Sequence, residues 1–377
     1  MRKTLIVILI LTIFKTEAQS SVLAIADSLY AYGNYSKAIN IYKTHSQPSE
    51  VYDKIAKAYL AIGNDDEALR NYELGLKANL DNTLLKYDYA KLLYRHNKLN
   101  DAAVLFNELV YLDYKNPNYH YELGVVLEQQ QDTTAMNEFR TAFELDSTHQ
   151  KAIYKIAEQF LVVRKHKQSL HYIDIGLQSY ANNAELIKLK ALNYYWDEKY
   201  NESAKWFETL IALGQSSQFI HEKLSFCYAE DSEYQKAIEQ GELALQYDPK
   251  NQTNLYIQGQ LYERINDYVN AEKYIAKALE LMDMPLDDEY TFLAKLLNHQ
   301  KKYKASIVAL QTAIAENPEN ERTQYMLALT KDQYYADFDS KIKAYEVFKE
   351  KFPNSPFAFF VDKRLKELKE EKFLKGE

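Results

Sequence analysis

Cysteine, glycine and proline are scarce in this chain of 377 residues, with one, nine and seven copies. Because Cys227 has no second cysteine to pair with, no intramolecular disulfide can form and stability must come from packing. No Gly-x-Gly-x-x-Gly or Gly-x-Ser-x-Gly motif occurs among the few glycines. The sequence therefore offers neither a phosphate-binding glycine loop nor the nucleophile turn of a serine hydrolase.

A net positive charge and long apolar runs are also lacking. The formal net charge is −8, which argues against nucleic-acid binding, since that depends on neutralising phosphates. The clearest apolar run, Leu5 to Phe14, is shorter than the roughly 20 residues of a spanning helix. It follows Arg2 and Lys3, so residues 1–18 are predicted to be a signal peptide cleaved after Ala18.

The predicted signal peptide implies export to the periplasm or to the exterior. No cysteine lies near the cleavage point to carry a lipid, so no stable membrane insertion is expected after cleavage. The alternative is that the segment is retained as an uncleaved anchor.

A period of about 34 residues runs through the rest of the chain. Small residues recur at separations of 30 to 38 residues, most of them 34. All seven prolines fall between the units that this period defines, where helices must stop or start. The ten small residues are Ala38, Ala68, Ala102, Ala135, Ser169, Ser203, Ala237, Ala271, Ser306 and Ala344.

One unit, Gln218 to Asn251, shows the pattern in full. Counting Gln218 as position 1, Ser225 is at position 8, Tyr228 at 11, Ala237 at 20 and Pro249 at 32. This resembles the tetratricopeptide repeat, with small residues at 8, 20 and 27, aromatic residues at 11, 17 and 24, and proline at 32. The resemblance implies an all-α, right-handed solenoid of about ten helix-turn-helix repeats over residues 19–356, without strands.

The two ends are expected to differ from the middle, because a terminal repeat lacks one neighbour. Repeat ten is predicted to have a longer turn, from Tyr334 to Asp339. Residues 357–377 are predicted to form a capping helix and tail. The apolar stripe of that helix is Phe357, Phe360, Val361, Leu365 and Leu368.

The last junction resembles that of periplasmic tetratricopeptide proteins of envelope assembly. The shared feature is an aromatic-Pro-x-Ser-Pro-aromatic-Ala run, here Phe352 to Ala358. It covers about one repeat, and the chain departs from the lipoprotein members in lacking their lipidated cysteine.

No residue pattern indicates catalysis, a metal or a cofactor. The eight histidines are scattered and no two lie at i,i+4, so a His-Glu-x-x-His zinc site is absent. Acidic pairs such as Asp65-Asp66 are placed at helix starts, where they complement the helix dipole. We expect no catalytic residue, no metal ligand, no cofactor and no enzyme activity.

A partner-binding site is predicted in the concave groove, which positions 2, 5, 9, 12 and 13 of the repeat should line. Bunched aromatic residues mark interaction hot spots. Phe226 has a second possible role, since it could fill the space left by Gly241, where most repeats carry a large residue. The candidate residues are Tyr195, Trp196, Phe219, Phe226, Tyr154 and Tyr256.

The predicted function is a scaffold that holds a protein or extended peptide along this groove. Charges of both signs at groove positions, among them Lys57, Lys91 and Glu122, suit a long polypeptide. The alternative is a solenoid that binds a glycan or small ligand by stacking on aromatic faces. Family members that clamp a C-terminal carboxylate use Lys at position 5 and Asn at 9. Here Lys188 is followed by Leu192, so that activity is not carried over.

Overall fold

The computed structural model describes residues 22–282 and 286–375, and the predicted signal peptide lies outside them. Twenty-one α-helices and no strand occur within these residues. They divide into two compact units, which meet in the chain between Ala181 and Asn182.

The first unit contains five helix pairs and a short 3-10 helix, Pro48–Glu50. The second contains five more pairs and a final single helix. The ten predicted repeats are therefore present.

The helices of the first unit are α1 (22–31), α2 (Tyr35–Tyr42), α3 (Tyr52–Ala61), α4 (Asp65–Ala78), α5 (Thr83–Arg95), α6 (Leu99–Leu112), α7 (Pro117–Gln129), α8 (Ala135–Leu145), α9 (Gln150–Val162) and α10 (His166–Ser179).

The helices of the second unit are α11 (Ala184–Trp196), α12 (Tyr200–Ala212), α13 (Gln218–Glu230), α14 (Tyr234–Tyr247), α15 (Gln252–Arg264), α16 (Tyr268–Leu281), α17 (Asp287–His299), α18 (Tyr303–Glu316), α19 (Glu321–Tyr334), α20 (Phe338–Lys351) and α21 (Ala358–Lys375).

Small residues lie where the two helices of a repeat pack against each other. In the repeat of α9 and α10, Ile153 and Ile156 are fully buried beside Ser169 and Ile173, as the repeat pattern predicts. The hydroxyl of Ser169 donates to the carbonyl of Ala157 at 2.8 Å. Ser203 and Ser306 make the same bond, so a serine can replace alanine here without leaving its buried hydroxyl unpaired.

Helix starts and turns follow from local chemistry. Asparagine side chains cap several first helices by accepting a backbone N–H, as Asn183 does at α11 and Asn251 at α15. The turn inside nearly every repeat contains one residue of positive φ. Only two of these are glycines, so the repeat geometry imposes the left-handed conformation on ordinary residues. They are Gly33, Gly63, Asn97, Gln131, Arg164, Glu198, Ser232, Asn266 and Lys301.

Repeat ten departs from this frame, and two predictions for it are wrong. Its turn is not longer, because α19 continues to Tyr334 and only residues 335–337 separate it from α20. Ala344 is only partly buried, since α20 places Ile342, Tyr345 and Phe348 in the core instead.

The final helix, α21, packs Val361, Leu365 and Leu368 against α20, as expected for a capping helix. The predicted stripe is wrong at Phe360, which is 55% exposed. Its position precedes Val361 by one residue, about 100° around the helix, and so it falls beside the buried face.

Candidate functional site

Four of the six predicted site residues meet in the second unit. Tyr195 and Trp196 end α11, while Phe219 and Phe226 lie on α13. The ring centroids of Tyr195 and Trp196 are 5.1 Å apart, and those of Tyr195 and Phe226 are 5.3 Å apart. Consecutive first helices thus bring the rings into one cluster, which we call the aromatic patch.

A lysine that the sequence analysis did not select lies at the centre of the aromatic patch. The Nζ atom of Lys223 is 4.3 Å from the ring centroid of Tyr195, 5.7 Å from that of Trp196 and 5.8 Å from that of Phe219. These are cation–π distances. Helical spacing could have revealed this residue, because Lys223 follows Phe219 by four positions and precedes Phe226 by three.

Three of the four side chains of the aromatic patch are exposed. Trp196 is 46% exposed, Phe226 40% and Phe219 38%. Tyr195 is partly buried, and this burial raises the pKa of its hydroxyl. Large apolar side chains that are this exposed and lie in one group are typical of interaction surfaces.

The space at Gly241 is not filled by Phe226. A Cβ atom on Gly241 would lie 2.6 Å from Oε1 of Gln258, so the Gln258 side chain occupies that space. Phe226 remains exposed and packs on Tyr200, with the two ring centroids 5.6 Å apart. Of its two predicted roles, the structure therefore gives Phe226 the exposed one.

The other two predicted residues lie apart from these contacts. Tyr256 packs on Phe292 of α17, with ring centroids 6.0 Å apart, and burial raises its pKa to about 12. Tyr154 belongs to the first unit, where its hydroxyl donates to Glu158 at 3.0 Å. The Tyr256 contact joins α15 to α17 and the Tyr154 bond lies within α9, so the structure gives neither tyrosine a place in the aromatic patch.

Several charges predicted to attract a partner are paired within the chain. Lys57 pairs with Asp88 at 3.1 Å and Lys91 lies 3.7 Å from Glu122. Lys295 pairs in the same way with Glu263, at 2.5 Å. The mixed charge of this surface therefore serves contacts between repeats, and it no longer distinguishes a polypeptide from a sugar as the ligand.

Buried histidines have structural partners. His120 contacts Glu138 at 2.7 Å and the carbonyl of Tyr114 at 2.9 Å. His221 contacts Gln240 at 2.8 Å and Ser216 at 2.9 Å. Among the described residues no three His, Cys, Asp or Glu side chains form a group suited to a metal ion.

Cys227 is fully buried. Burial raises the pKa of its thiol to about 11, so the side chain is protonated at neutral pH and is a poor nucleophile.

None of the helices within residues 22–282 and 286–375 is both long and apolar enough to cross a bilayer.

Comparison with known proteins identifies the fold. No family model matches the chain. Human protein O-mannosyl-transferase TMTC3 is 23% identical over 308 residues, which cover 78% of this chain. The chain spans about a third of the length of that relative, 33%.

One solved structure of a tetratricopeptide-repeat protein superposes closely enough to show the fold, and a second is similar over half of the chain. The C-terminal part of a TPR repeat-containing protein from Cytophaga hutchinsonii superposes with a TM-score of 0.52, at 15% identity, covering 63% of this chain and 97% of that one. YrrB, a TPR protein with an unusual peptide-binding site, gives 0.45 at 15% identity, covering 50% of this chain and 96% of that one. With its ten helix pairs and 34-residue pattern, the chain is a protein of the tetratricopeptide-repeat fold.

Proposed function

We propose that this protein is a non-enzymatic scaffold that binds a polypeptide partner through the aromatic patch of its second unit. The observation that carries the proposal is the group of Trp196, Phe219 and Phe226, each more than a third exposed. Tryptophan and other aromatic side chains dominate the energetics of protein interfaces, while bulk apolar area does not.

The arrangement of the rings favours a protein over a sugar. Sugars stack on open ring faces, but Lys223 covers faces of Tyr195, Trp196 and Phe219. The rings also meet edge to face, as between Tyr195 and Trp196 at 88°. Ring edges and a central ammonium group suit apolar and acidic side chains of a polypeptide.

The place of action follows from the predicted signal peptide. We propose export, with the mature protein in the periplasm or outside the cell. The junction from Phe352 to Ala358 supports a role in the bacterial envelope, because it resembles the last repeat of assembly proteins there.

The test is a pull-down from envelope extract with three forms of the protein: wild type, Trp196→Ala/Phe219→Ala and a control, Phe359→Ala/Phe360→Ala. Phe359 and Phe360 are 72% and 55% exposed on α21, so the control removes two exposed rings of the same unit. Truncating a hot spot costs at least about 2 kcal/mol, or about a 30-fold loss of affinity.

We expect the first variant to lose the partner and the control to retain it. Equal retention by all three forms would show that the aromatic patch is not the binding surface. Retention of oligosaccharides alone would support the glycan alternative. Mannose transfer by the purified protein, the activity in the relative's name, would contradict a non-enzymatic role.

A further inference from the structure

A pocket of about 230 Å³ lies beside the aromatic patch. Its walls come from Tyr195 of α11, Phe226 of α13 and Ile257 of α15, and its floor from Gly241 and Ala244 of α14. Gln258 of α15 also lines it, so we call it the Gln258 pocket.

Gln258 breaks the repeat pattern at this point. The corresponding residue of the preceding repeat is Leu224, and both side chains are 1% exposed. The Nε2 of Gln258 donates to the carbonyl of Ile238 at 2.7 Å, which fixes the orientation of the amide. Its Oε1 is buried and accepts no hydrogen bond from the described residues.

The unpaired oxygen packs against Gly241, which lines the pocket, because a Cβ on Gly241 would be 2.6 Å from it. Leaving a buried acceptor unpaired destabilises the fold, whereas a leucine would carry no such penalty. A buried glutamine opposite a glycine thus costs stability and provides an acceptor beside an apolar cavity.

A second acceptor lies on the pocket wall. Oε1 of Glu222 accepts from Gln218 at 2.7 Å and from Asn254 at 2.6 Å. No hydrogen bond from the described part of the chain reaches its Oε2. A ligand that pairs with Oε1 of Gln258 must supply a donor, because an amide oxygen only accepts.

The size and walls of the pocket select an aromatic donor. A cavity of about 150 Å³ admits benzene, so 230 Å³ admits a ring with a substituent or a fused second ring.

We propose that the Gln258 pocket binds one tryptophan or tyrosine side chain of the partner, whose N–H or O–H donates to Oε1 of Gln258. This assignment rests on the proposed function, since it names the partner residue that anchors beside the aromatic patch.

The test compares two probes of equal size that differ in the donor. In 3-methylindole the N–H is free, and in 1-methylindole it is methylated. Ligand-observed NMR titrations use the full-length protein and its Gln258→Leu variant. Leu224 fills the corresponding position of the preceding repeat, so this variant is expected to fold, and its thermal unfolding is measured alongside.

Wild type is expected to bind 3-methylindole about fivefold more tightly than 1-methylindole, as one net hydrogen bond of about 1 kcal/mol implies. In Gln258→Leu the preference should vanish. N-acetyl-tryptophanamide should displace 3-methylindole from wild type, because a peptide-linked ring must also enter.

Three results would overturn the assignment: no binding of either probe, equal affinities in wild type, or an unchanged preference in Gln258→Leu. Binding of 3-methylindole without displacement by N-acetyl-tryptophanamide would assign the pocket to a free small aromatic molecule instead. If the pull-down still depends on Trp196 and Phe219 in any of these cases, the scaffold function stands without this pocket.

Discussion

An ion pair with a buried carboxylate contributes to the attachment of α21, and Arg364→Met tests its contribution. Nε of Arg364 contacts Oδ2 of Asp332 at 2.8 Å, and Nη2 is 3.4 Å from Oδ1. The Asp332 side chain is 5% exposed and that of Arg364 is 30% exposed. Tyr345 donates to the same carboxylate at 3.0 Å, and Lys341 is 3.7 Å from it.

Removing one partner of a fully buried pair costs about 3–5 kcal/mol. Arg364 is partly exposed, and both Tyr345 and Lys341 remain near Asp332, so we expect a smaller loss of about 2 kcal/mol. The local opening equilibrium of α21 should then rise about 30-fold. Repeats couple chiefly to their neighbours, so helices far from α21 in the chain should be unaffected.

Native-state hydrogen exchange measures this directly, because the amides of α21 should exchange about 30-fold faster while those of α13 do not change. Lys366→Met is the matched control. Its pair with Glu370 spans 3.9 Å with side chains 81% and 64% exposed, so its effect should stay within about 0.5 kcal/mol. Equal exchange in the two variants would refute the role assigned to Arg364.

Three further predictions concern other parts of the chain. Burial lowers the pKa of His149, whose neutral ring caps α9. The stability that the neutral ring gives the fold is therefore present above about pH 6.5 and is lost as pH falls below that. The free energy of unfolding of His149→Asn, measured against pH, should show a weaker pH dependence than that of wild type. Gly259→Ala should destabilise the protein, because the new Cβ would be 2.5 Å from Ile275; overpacking costs about 1–3 kcal/mol, and the better helix propensity of alanine offsets about 1 kcal/mol of it. In Gly214→Ala, φ is +78° and nothing lies within 4 Å, so only backbone strain acts. Chemical denaturation measures the free energy of unfolding of both variants. N-terminal sequencing of exported protein should begin one residue after Ala18, and recovery of the intact chain in membranes would support the anchor alternative.

The repeat architecture was predictable because it depends on residues that recur. Small residues such as Ala237 and Ser203 mark where two helices touch, and their 34-residue spacing determines the number of pairs. The positive φ of Arg164 and Glu198 was not predictable from residue type. Those turns are shaped by the packing of the helices on either side, which overrides local preference.

The candidate site was predictable only in part. The bunching of Trp196, Phe219 and Phe226 followed from helical periodicity. Lys57 pairs with Asp88 of the next repeat. The repeat pattern describes positions within one repeat, so it does not predict an ion pair between two. Gln258 was visible as a departure from leucine, but its unpaired oxygen depends on the side-chain conformation beside Gly241.

Binding of a polypeptide at the aromatic patch can be measured by site-specific photo-crosslinking. The photoreactive residue p-benzoylphenylalanine replaces Phe219 in one form and Tyr111 in another. Tyr111 is 90% exposed on α6 of the first unit and serves as the control. We predict a crosslinked protein partner in envelope extract from position 219 and none from position 111. Crosslinks of equal yield from both positions, or from position 111 alone, would contradict the account.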